Sequence, residues 1–321
     1  MADRAAVTGP TRALIVANPA SGSHSPQWIE RIAELCAAHL DSVEVYLTTA
    51  PGDATDVARD AAADGGTAPA PDLLVAVGGD GTVREVVQGL VDPGSDGVSL
   101  AIVPGGTGNS AYRMLWGDRP WEDALKAVLA DSGPGGTAWA HRLDVALLRE
   151  TGNAVFLGAC SGVIADALIT AREIPLSGRA RYAKAFADTA AAYRPYPGRV
   201  TVDGTVVHEG PTVLANVGGG PYRGGQYLVL PESRLDDGLL DVCVIGGDIP
   251  ASRVPELTRT AAHMEHPATV YARGRTIVVE RTDGQRLPLE HDGEYQHGIG
   301  TSATFEVREA ALSVWAPAQL P

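Results

Sequence analysis

Three glycine-rich turns, each directly behind an apolar strand-like run, constrain this chain more than any other feature. They are Asn18-Pro19-Ala20-Ser21-Gly22 after Ala13 to Ala17, Gly78-Gly79-Asp80-Gly81-Thr82 after Leu73 to Val77, and Pro104-Gly105-Gly106-Thr107-Gly108-Asn109 after Leu100 to Val103. A fourth run spans Val43 to Leu47, and helical stripes fill the gaps, one through Ile29, Ile32, Ala33, Cys36 and Leu40, another through Val83, Val86, Val87, Leu90 and Val91. Such alternation predicts a parallel sheet with helices on both faces. The ligand crevice of an open parallel sheet lies beyond the carboxyl ends of its strands, so all three turns open onto one rim. Glycines let an anion approach the backbone, N–H groups of the next helix point at it, and Ser or Thr hydroxyls add donors. A lone Gly pair behind a strand is as readily a tight turn, but three in register suit a polyphosphate.

From about Arg142 the rhythm changes to short strand candidates separated by turns: Leu143 to Leu148, Ala154 to Ala159, Arg199 to Val202, Val213 to Val217, Leu239 to Ile245 and Thr276 to Glu280. Antiparallel structure fits there, with Asp203-Gly204 as a hairpin signal and helices inserted near Ala180 to Ala192 and Pro250 to His263. The expected division is an α/β domain over residues 1–141 and a mainly antiparallel domain over 142–310. The last strand candidate, Ala311 to Trp315, can pair with either, so 311–321 can return to the first domain.

Composition excludes several classes. Twenty-five Lys and Arg against 39 Asp and Glu leave a net charge of −14, the opposite of a nucleic-acid-binding footprint. Cys36, Cys160 and Cys243 are odd in number and far apart, which suits a reducing cytoplasm and suggests neither a disulfide framework nor a cysteine zinc site. The start, MADRAAVTGP, has no apolar signal region, and the apolar runs are far shorter than the ~20 residues of a spanning helix. Membrane contact is therefore expected to be peripheral. Residues 61–72 read as a surface loop.

Two common nucleotide motifs fit poorly. Gly106-Thr107-Gly108-Asn109-Ser110-Ala111 matches G-x-G-x-x-A but follows the fourth strand, and the acidic residue expected about 20 positions later falls in the helical Trp121 to Ala130. No Walker lysine motif occurs.

The turn Gly78 to Thr82 followed by Glu85, with Pro104 to Asn109 beyond it, resembles the diacylglycerol kinase catalytic-domain family, which includes sphingosine and ceramide kinases. The resemblance continues through Asn18 to Gly22, Thr48 ahead of Gly52-Asp53-Ala54, Asp144, and Leu235 to Val242, and ends at His291-Asp292-Gly293-Glu294, similar to the family's D-G-E motif. G-G-D-G-T alone is shared with NAD kinases, but their second Thr- and Ser-rich substrate motif is absent. The resemblance implies an ATP- and Mg2+-dependent kinase of a lipid hydroxyl, with an N-terminal α/β nucleotide domain, a C-terminal β-sandwich and an active site between them. It places ATP contacts on Asn18, Pro19, Ala20, Ser21, Gly22, Thr48, Gly78, Gly79, Asp80, Gly81, Thr82, Val83, Arg84 and Thr107, with Gly106 and Asn109 in the third turn. It places a cation on Asp237 with main-chain oxygens of Arg234 and Leu239, and the proton acceptor on Glu294. Three departures concern substrate contacts: Ser110 stands where many members have Asp, Arg84 where Asn is common, and Gly158 where Asn is often found.

Plainer readings exist for each candidate. Asp80 binds the ATP magnesium through water or orients its loop, or else is an Asx-type turn cap or the helix N-cap ahead of Val83. Asp292-Gly293 is also a turn dipeptide, with Asp292 second to Glu294 as a base, and Asp236-Asp237 also a turn before a strand. His263 and His266 read as a solvated helix end, and the five tryptophans as structural. Residues 172–199 carry Arg172, Arg179, Arg181, Lys184, Arg194 and Arg199 against Glu173 and Asp188, with Leu176, Tyr182, Phe186, Tyr193 and Tyr196 among them. This is the candidate for docking at the cytoplasmic face of a membrane. A kinase of a soluble hydroxyl compound or dinucleotide and a non-catalytic nucleotide-binding regulator are the competing readings. Oligomeric state, a homodimer included, stays open.

Overall fold

Why the first strands run together as a parallel sheet is visible in their burial. The computed structural model describes residues 9–22, 25–63, 70–91, 97–133 and 135–320; residues 64–69 of the expected 61–72 loop lie outside these. Strands β1 (Arg12–Ala17), β2 (Ser42–Leu47), β3 (Leu73–Gly78) and β4 (Ser99–Pro104) alternate with helices α1 (Pro26–Ala37), α2 (Asp53–Ala62) and α3 (Asp80–Leu90). They pair in the order β2-β1-β3-β4, all parallel. Every residue of central β3 is buried, as its unbroken apolar run requires of a strand covered on both faces, whereas edge strand β2 is mostly exposed. Helices α4 (Ser110–Trp116) and α5 (Trp121–Ala130) and strand β5 (Ala138–Leu148) follow.

The second part holds β6 (Asn153–Val155), β7 (Ala159–Gly162), helices α6 (Val163–Ala171) and α7 (Gly178–Ala191), then β8 (Tyr196–Val202), β9 (Thr205–Val217), β10 (Tyr222–Arg223), β11 (Tyr227–Leu228), β12 (Leu240–Gly246), helix α8 (Val254–Arg259), β13 (Thr269–Gly274), β14 (Thr276–Arg281), β15 (Leu289–His291), β16 (Glu294–Tyr295) and β17 (Ser302–Pro317). Pairing is antiparallel through β7-β9, β9-β8, β8-β14, β9-β12 and β12-β13. The class is therefore α/β, an N-terminal parallel sheet followed by an antiparallel, β-sandwich-like domain. In β12, Val242 and Val244 enter one core layer with Ile277 and Phe305, while Cys243 and Ile245 enter another with Val163 and Leu214. That two-sided burial explains a run that is apolar without alternation. Chain contacts divide the molecule into residues 1–143 with 310–321, and residues 144–309. Within the first unit, Val314 of β17 pairs in parallel with Leu100.

Two local outcomes refine the sequence reading. Asp203 and Gly204 both have positive φ, 46° and 81°, the geometry of a two-residue I′ hairpin. The expected helix from Pro250 to His263 breaks up. A 3-10 turn at Ala251–Arg253 precedes α8, and Ala261 at φ 58° separates it from a second turn at Ala262–Glu265. His263 is consequently no solvated helix end: it is buried, and its Nε2 donates to the Val229 carbonyl at 3.1 Å. Burial holds its pKa below the usual histidine value.

Candidate functional site

In the first unit the three glycine turns are stitched to one another. Asn18 donates its backbone N–H to Val77 O at 3.0 Å and its Nδ2 to Thr82 Oγ1 at 3.2 Å, while its Oδ1 accepts from Ala20 N at 2.8 Å. Gly105 N donates to Gly78 O at 2.7 Å. Asn109, in the left-handed region at φ 52°, closes the third turn on itself by accepting from Gly106 N and donating to Gly106 O, both at 2.8 Å. Asp80, the first residue of α3, accepts at Oδ1 from Ala111 N at 3.0 Å and so caps the N-terminal turn of α4. Asp80 does not cap its own helix, which has Gly79 at its N-cap and no side-chain cap bond; its carboxylate instead caps α4, and the same bond orients the loop.

The glycines are needed for closeness. A Cβ on Gly106 would lie 2.6 Å from Gly79 Cα, and one on Gly78 would lie 2.5 Å from Thr82 Oγ1. Side chains at these positions would drive the loops apart. Gly81 by contrast has open space in front of it, and Pro19, Ala20, Gly22 and Thr107 are exposed. Ser21 Oγ is buried with no hydrogen-bond partner among the described residues. An unpaired hydroxyl beside a rim of backbone donors fits an oxyanion ligand such as a nucleotide phosphate. Val83 is a core residue whose N–H bonds Gly79 O at 3.2 Å, Thr82 is buried, and Arg84 is half-buried on α3. Thr48 lies at the end of edge strand β2, with its N–H on Ala17 O at 2.9 Å. The next turn is closed by Asp53, which accepts from Thr49 Oγ1 at 2.6 Å and Thr49 N at 2.7 Å; these bonds hold its carboxyl below the usual range.

In the second unit the Asp-Gly pair is both a hairpin turn and a mounting. Asp292 and Gly293 have φ of 48° and 82°, and the turn sets His291 opposite Glu294. Asp292 is buried, with Oδ1 accepting from Leu157 N at 2.6 Å and Oδ2 from Phe156 N at 3.1 Å. Glu294, one step beyond, is exposed. Under the turn, Glu290 pairs with the Arg223 guanidinium, which also donates to Leu157 O at 2.7 Å. Glu290 Oε2 accepts from Gly293 N at 3.1 Å. Burial pushes the Glu290 carboxyl up, against the pull of Arg223. Asn153 donates to His291 Nε2 at 3.1 Å. Sequence reasoning missed Arg223 and Glu290. Arg223 sits in a short hairpin far along the chain, and no spacing ties it to Glu290.

The expected cation residues lie beside a small cavity of about 10 Å³ whose wall includes Asp144, Arg234, Leu239 and Asp241, room for about one water-sized sphere. Asp241 Oδ2 is buried with no hydrogen-bond partner among the described residues, and burial raises its carboxyl above the usual range. Asp237 is absent from that wall: its Oδ1 accepts from Leu239 N at 3.2 Å and its Oδ2 meets Arg273. Among the described residues no cluster of three or more His, Cys, Asp or Glu could hold a metal ion.

Comparisons with known proteins agree with this layout. The family model for the diacylglycerol kinase catalytic domain matches residues 12–135, and that for the YegS C-terminal NAD kinase beta sandwich-like domain matches 158–316. A diacylglycerol kinase of Bacillus subtilis is 29% identical over 294 residues, covering 88% of this chain and 90% of that protein. A Pseudomonas aeruginosa protein named "Probable lipid kinase YegS-like" is 29% identical over 280 residues, covering 86% and 85%. A crystal structure described as a diacylglycerol kinase from Bacillus anthracis superposes with TM-score 0.70 at 22% identity, covering 98% and 100%, which shows the fold.

Proposed function

Because the chain belongs to the diacylglycerol kinase catalytic-domain family, we propose that it transfers the terminal phosphate of ATP to a lipid hydroxyl. The stitched glycine turns hold the nucleotide and Glu294 receives the hydroxyl proton. The observation that carries this reading is the mounting of Glu294: an exposed carboxylate on an I′ turn whose aspartate is held by the Phe156 and Leu157 N–H groups, and whose glycine is held by Glu290, itself paired with a buried arginine. Phosphoryl transfer needs positioning, charge neutralisation and a proton acceptor. Magnesium brought with ATP neutralises phosphate charge when bound; the loop N–H groups and Ser21 Oγ orient the phosphates, and Asp80 keeps the second and third turns in register. The test is ATP turnover with diacylglycerol, sphingosine and ceramide in mixed micelles beside glycerol and NAD. Lipid-dependent turnover is expected; activity confined to NAD or glycerol would favour the soluble-acceptor reading, which the NAD kinase-like description of the C-terminal domain keeps in view.

Gly79→Val tests the nucleotide cradle. Gly79 has φ −88°, open to any residue, and its Cβ would meet only Gly106 within 4 Å, its Cα at 3.2 Å, so the variant is expected to fold with a small shift of that loop. A valine there keeps a phosphate from the backbone, and losing one charge-assisted bond costs about 1.5–3 kcal/mol, or roughly ten- to a hundredfold in ATP affinity by calorimetry. Wild-type affinity would remove the turns from the nucleotide site.

A structural cation distinct from the ATP magnesium would take the Asp237 carboxylate, which here meets Arg273, with main-chain oxygens of Arg234 and Leu239. Magnesium is then expected to raise the thermal midpoint of the wild type, since a ligand at 100 times its Kd stabilises by about 2.7 kcal/mol. Asp237→Ala should lose that increment. A midpoint indifferent to magnesium and chelator would leave Asp237 as the partner of Arg273 alone.

Membrane docking is assigned to the α6–α7 hairpin. Ile169, Leu176 and Tyr182 are 41%, 42% and 52% exposed there. Tyr196 is buried, and Phe186 and Tyr193 pack on the core. Two of the six cations are committed elsewhere, Lys184 to Asp188 at 2.9 Å and Arg199 to Glu209 at 3.1 Å. Among the described residues no helix is long and apolar enough to cross a membrane.

A further inference from the structure

The turn that presents Glu294 to a cleft of about 370 Å³, whose wall also includes Arg172 and Arg181, has two sides. Register sets Glu290 opposite Tyr295 and His291 opposite Glu294. Successive strand residues face opposite ways, so Glu290 and its arginine lie on one face of the sheet and His291 on the other, the face of Glu294 itself. On that face the row continues from His291 to Ala159 and Val217, members of an apolar core layer. A polar ring at the edge of such a layer needs partners. The segment from Asn153 to Gly158 supplies them: Phe156 N and Leu157 N hold the Asp292 carboxylate, Gly158 O accepts from Asp292 N at 3.1 Å, and Asn153 Nδ2 donates to His291 Nε2 at 3.1 Å.

The Asn153 bond decides where the His291 proton sits. An amide nitrogen only donates, so Nε2 accepts and the neutral ring carries its proton on Nδ1. That Nδ1 is buried with no hydrogen-bond partner among the described residues, and it lies 3.5 Å from Asp292 Oδ2. Oδ2 accepts one bond, from Phe156 N, and a carboxylate oxygen has room for a second. The other tautomer would set N–H against N–H at Asn153 and a lone pair against the carboxylate at Asp292.

We propose that His291 is a positioning residue for the transfer step: fixed by Asn153 as the neutral Nδ1–H tautomer, it closes on Asp292 as a third donor and steadies the turn while Glu294 takes the proton. The inference rests on Glu294 as proton acceptor and deepens that reading. Neutrality matters as much as the bond. An imidazolium directly opposite Glu294 would stabilise its anion and weaken it as a base, whereas a neutral N–H restrains the turn without adding charge. The Asn153 donor therefore does two things, holding the ring in place and keeping Nε2 free of a proton.

The test reads tautomer and turnover separately. Protein labelled with nitrogen-15 in its histidines is examined at neutral pH by long-range proton–nitrogen correlation, the His291 ring being assigned by its loss in His291→Asn. The Nδ1–H form is expected in the wild type and a mixture of tautomers in Asn153→Leu. Kinetics use whichever of diacylglycerol, sphingosine, ceramide, glycerol and NAD the wild type turns over fastest. Asn153→Leu and His291→Leu are expected to lose roughly ten- to a hundredfold in kcat, the scale of a small misplacement at the reacting centre, with the KM for ATP unchanged. His291→Asn, whose amide nitrogen falls near the place of Nδ1, should recover most of that loss. If His291→Leu does not fold, Asn153→Leu and the tautomer decide. An Nε2–H ring or an imidazolium in the wild type, or His291→Asn as slow as His291→Leu, would overturn the proposal. Unchanged kcat in Asn153→Leu beside lost transfer in Glu294→Gln would sink it alone and leave Glu294 as the base. Turnover confined to glycerol or NAD, with kcat still falling in the Asn153 and His291 variants, would sink the lipid reading and keep this one.

Discussion

Glu294→Gln is expected to bind ATP as the wild type does and to transfer phosphate about 10²- to 10⁴-fold more slowly, the usual span for losing a general base. The carboxamide has nearly the same shape but cannot take the proton of the attacking hydroxyl. Folding should be untouched, because the positive φ angles belong to Asp292 and Gly293 and the Glu294 side chain is exposed. Gln296 Nε2 donates to the Glu294 main-chain oxygen at 3.0 Å, a contact the substitution leaves in place. Asp292 is next in line as a base, yet its two oxygens already accept the Phe156 and Leu157 N–H groups, so it is poorly placed to substitute. Single-turnover transfer beside equilibrium ATP binding gives the answer. Unchanged transfer would move the base elsewhere, with Asp292→Asn as the next variant to measure.

How much of this could be read in advance depends on the range of the interaction. The parallel strands and the helices behind them were legible because an unbroken apolar run gives way to a 3.6-residue period within a few residues, as in Leu73 to Val77 followed by Val83, Val86 and Val87. The glycine turns were legible for the same reason, their purpose being local. The close approach of Gly106 to Gly79 was not, since it joins turns more than 20 residues apart in sequence. Nor was the fate of His263, whose burial follows from a left-handed Ala261 that no propensity predicts. In the second unit, Asp292-Gly293 invited two readings, a turn or a catalytic motif. The structure makes it a turn, and the turn is what presents Glu294. The sequence could not show that Arg172 and Arg181 face a cleft while Lys184 and Arg199 are paired, because all four are equally basic on paper. Only tertiary partners distinguish them.

The pair beneath that turn gives the other large expected effect. Arg223 and Glu290 have side chains 11% and 2% exposed, so removing one charge leaves the other buried without its counterion. Glu290→Ala is expected to cost about 3–5 kcal/mol of unfolding free energy, the usual penalty for breaking a buried pair from one side. Urea denaturation measures it; a loss under about 1 kcal/mol, the range of an exposed surface pair, would mean that water reaches Arg223 after all. The pair has a second task, since Glu290 Oε2 also holds Gly293 N, the residue before Glu294. Stability and positioning can be separated by removing both charges together. Arg223→Met with Glu290→Leu replaces the pair by apolar groups of similar size, an exchange that is often neutral or stabilising by about 1–4 kcal/mol. Stability should then recover while Gly293 stays unanchored, and kcat should remain low, with ATP affinity normal because none of the nucleotide turns is touched. If kcat recovers along with stability, the pair supports the fold and the turn needs no anchor from Glu290.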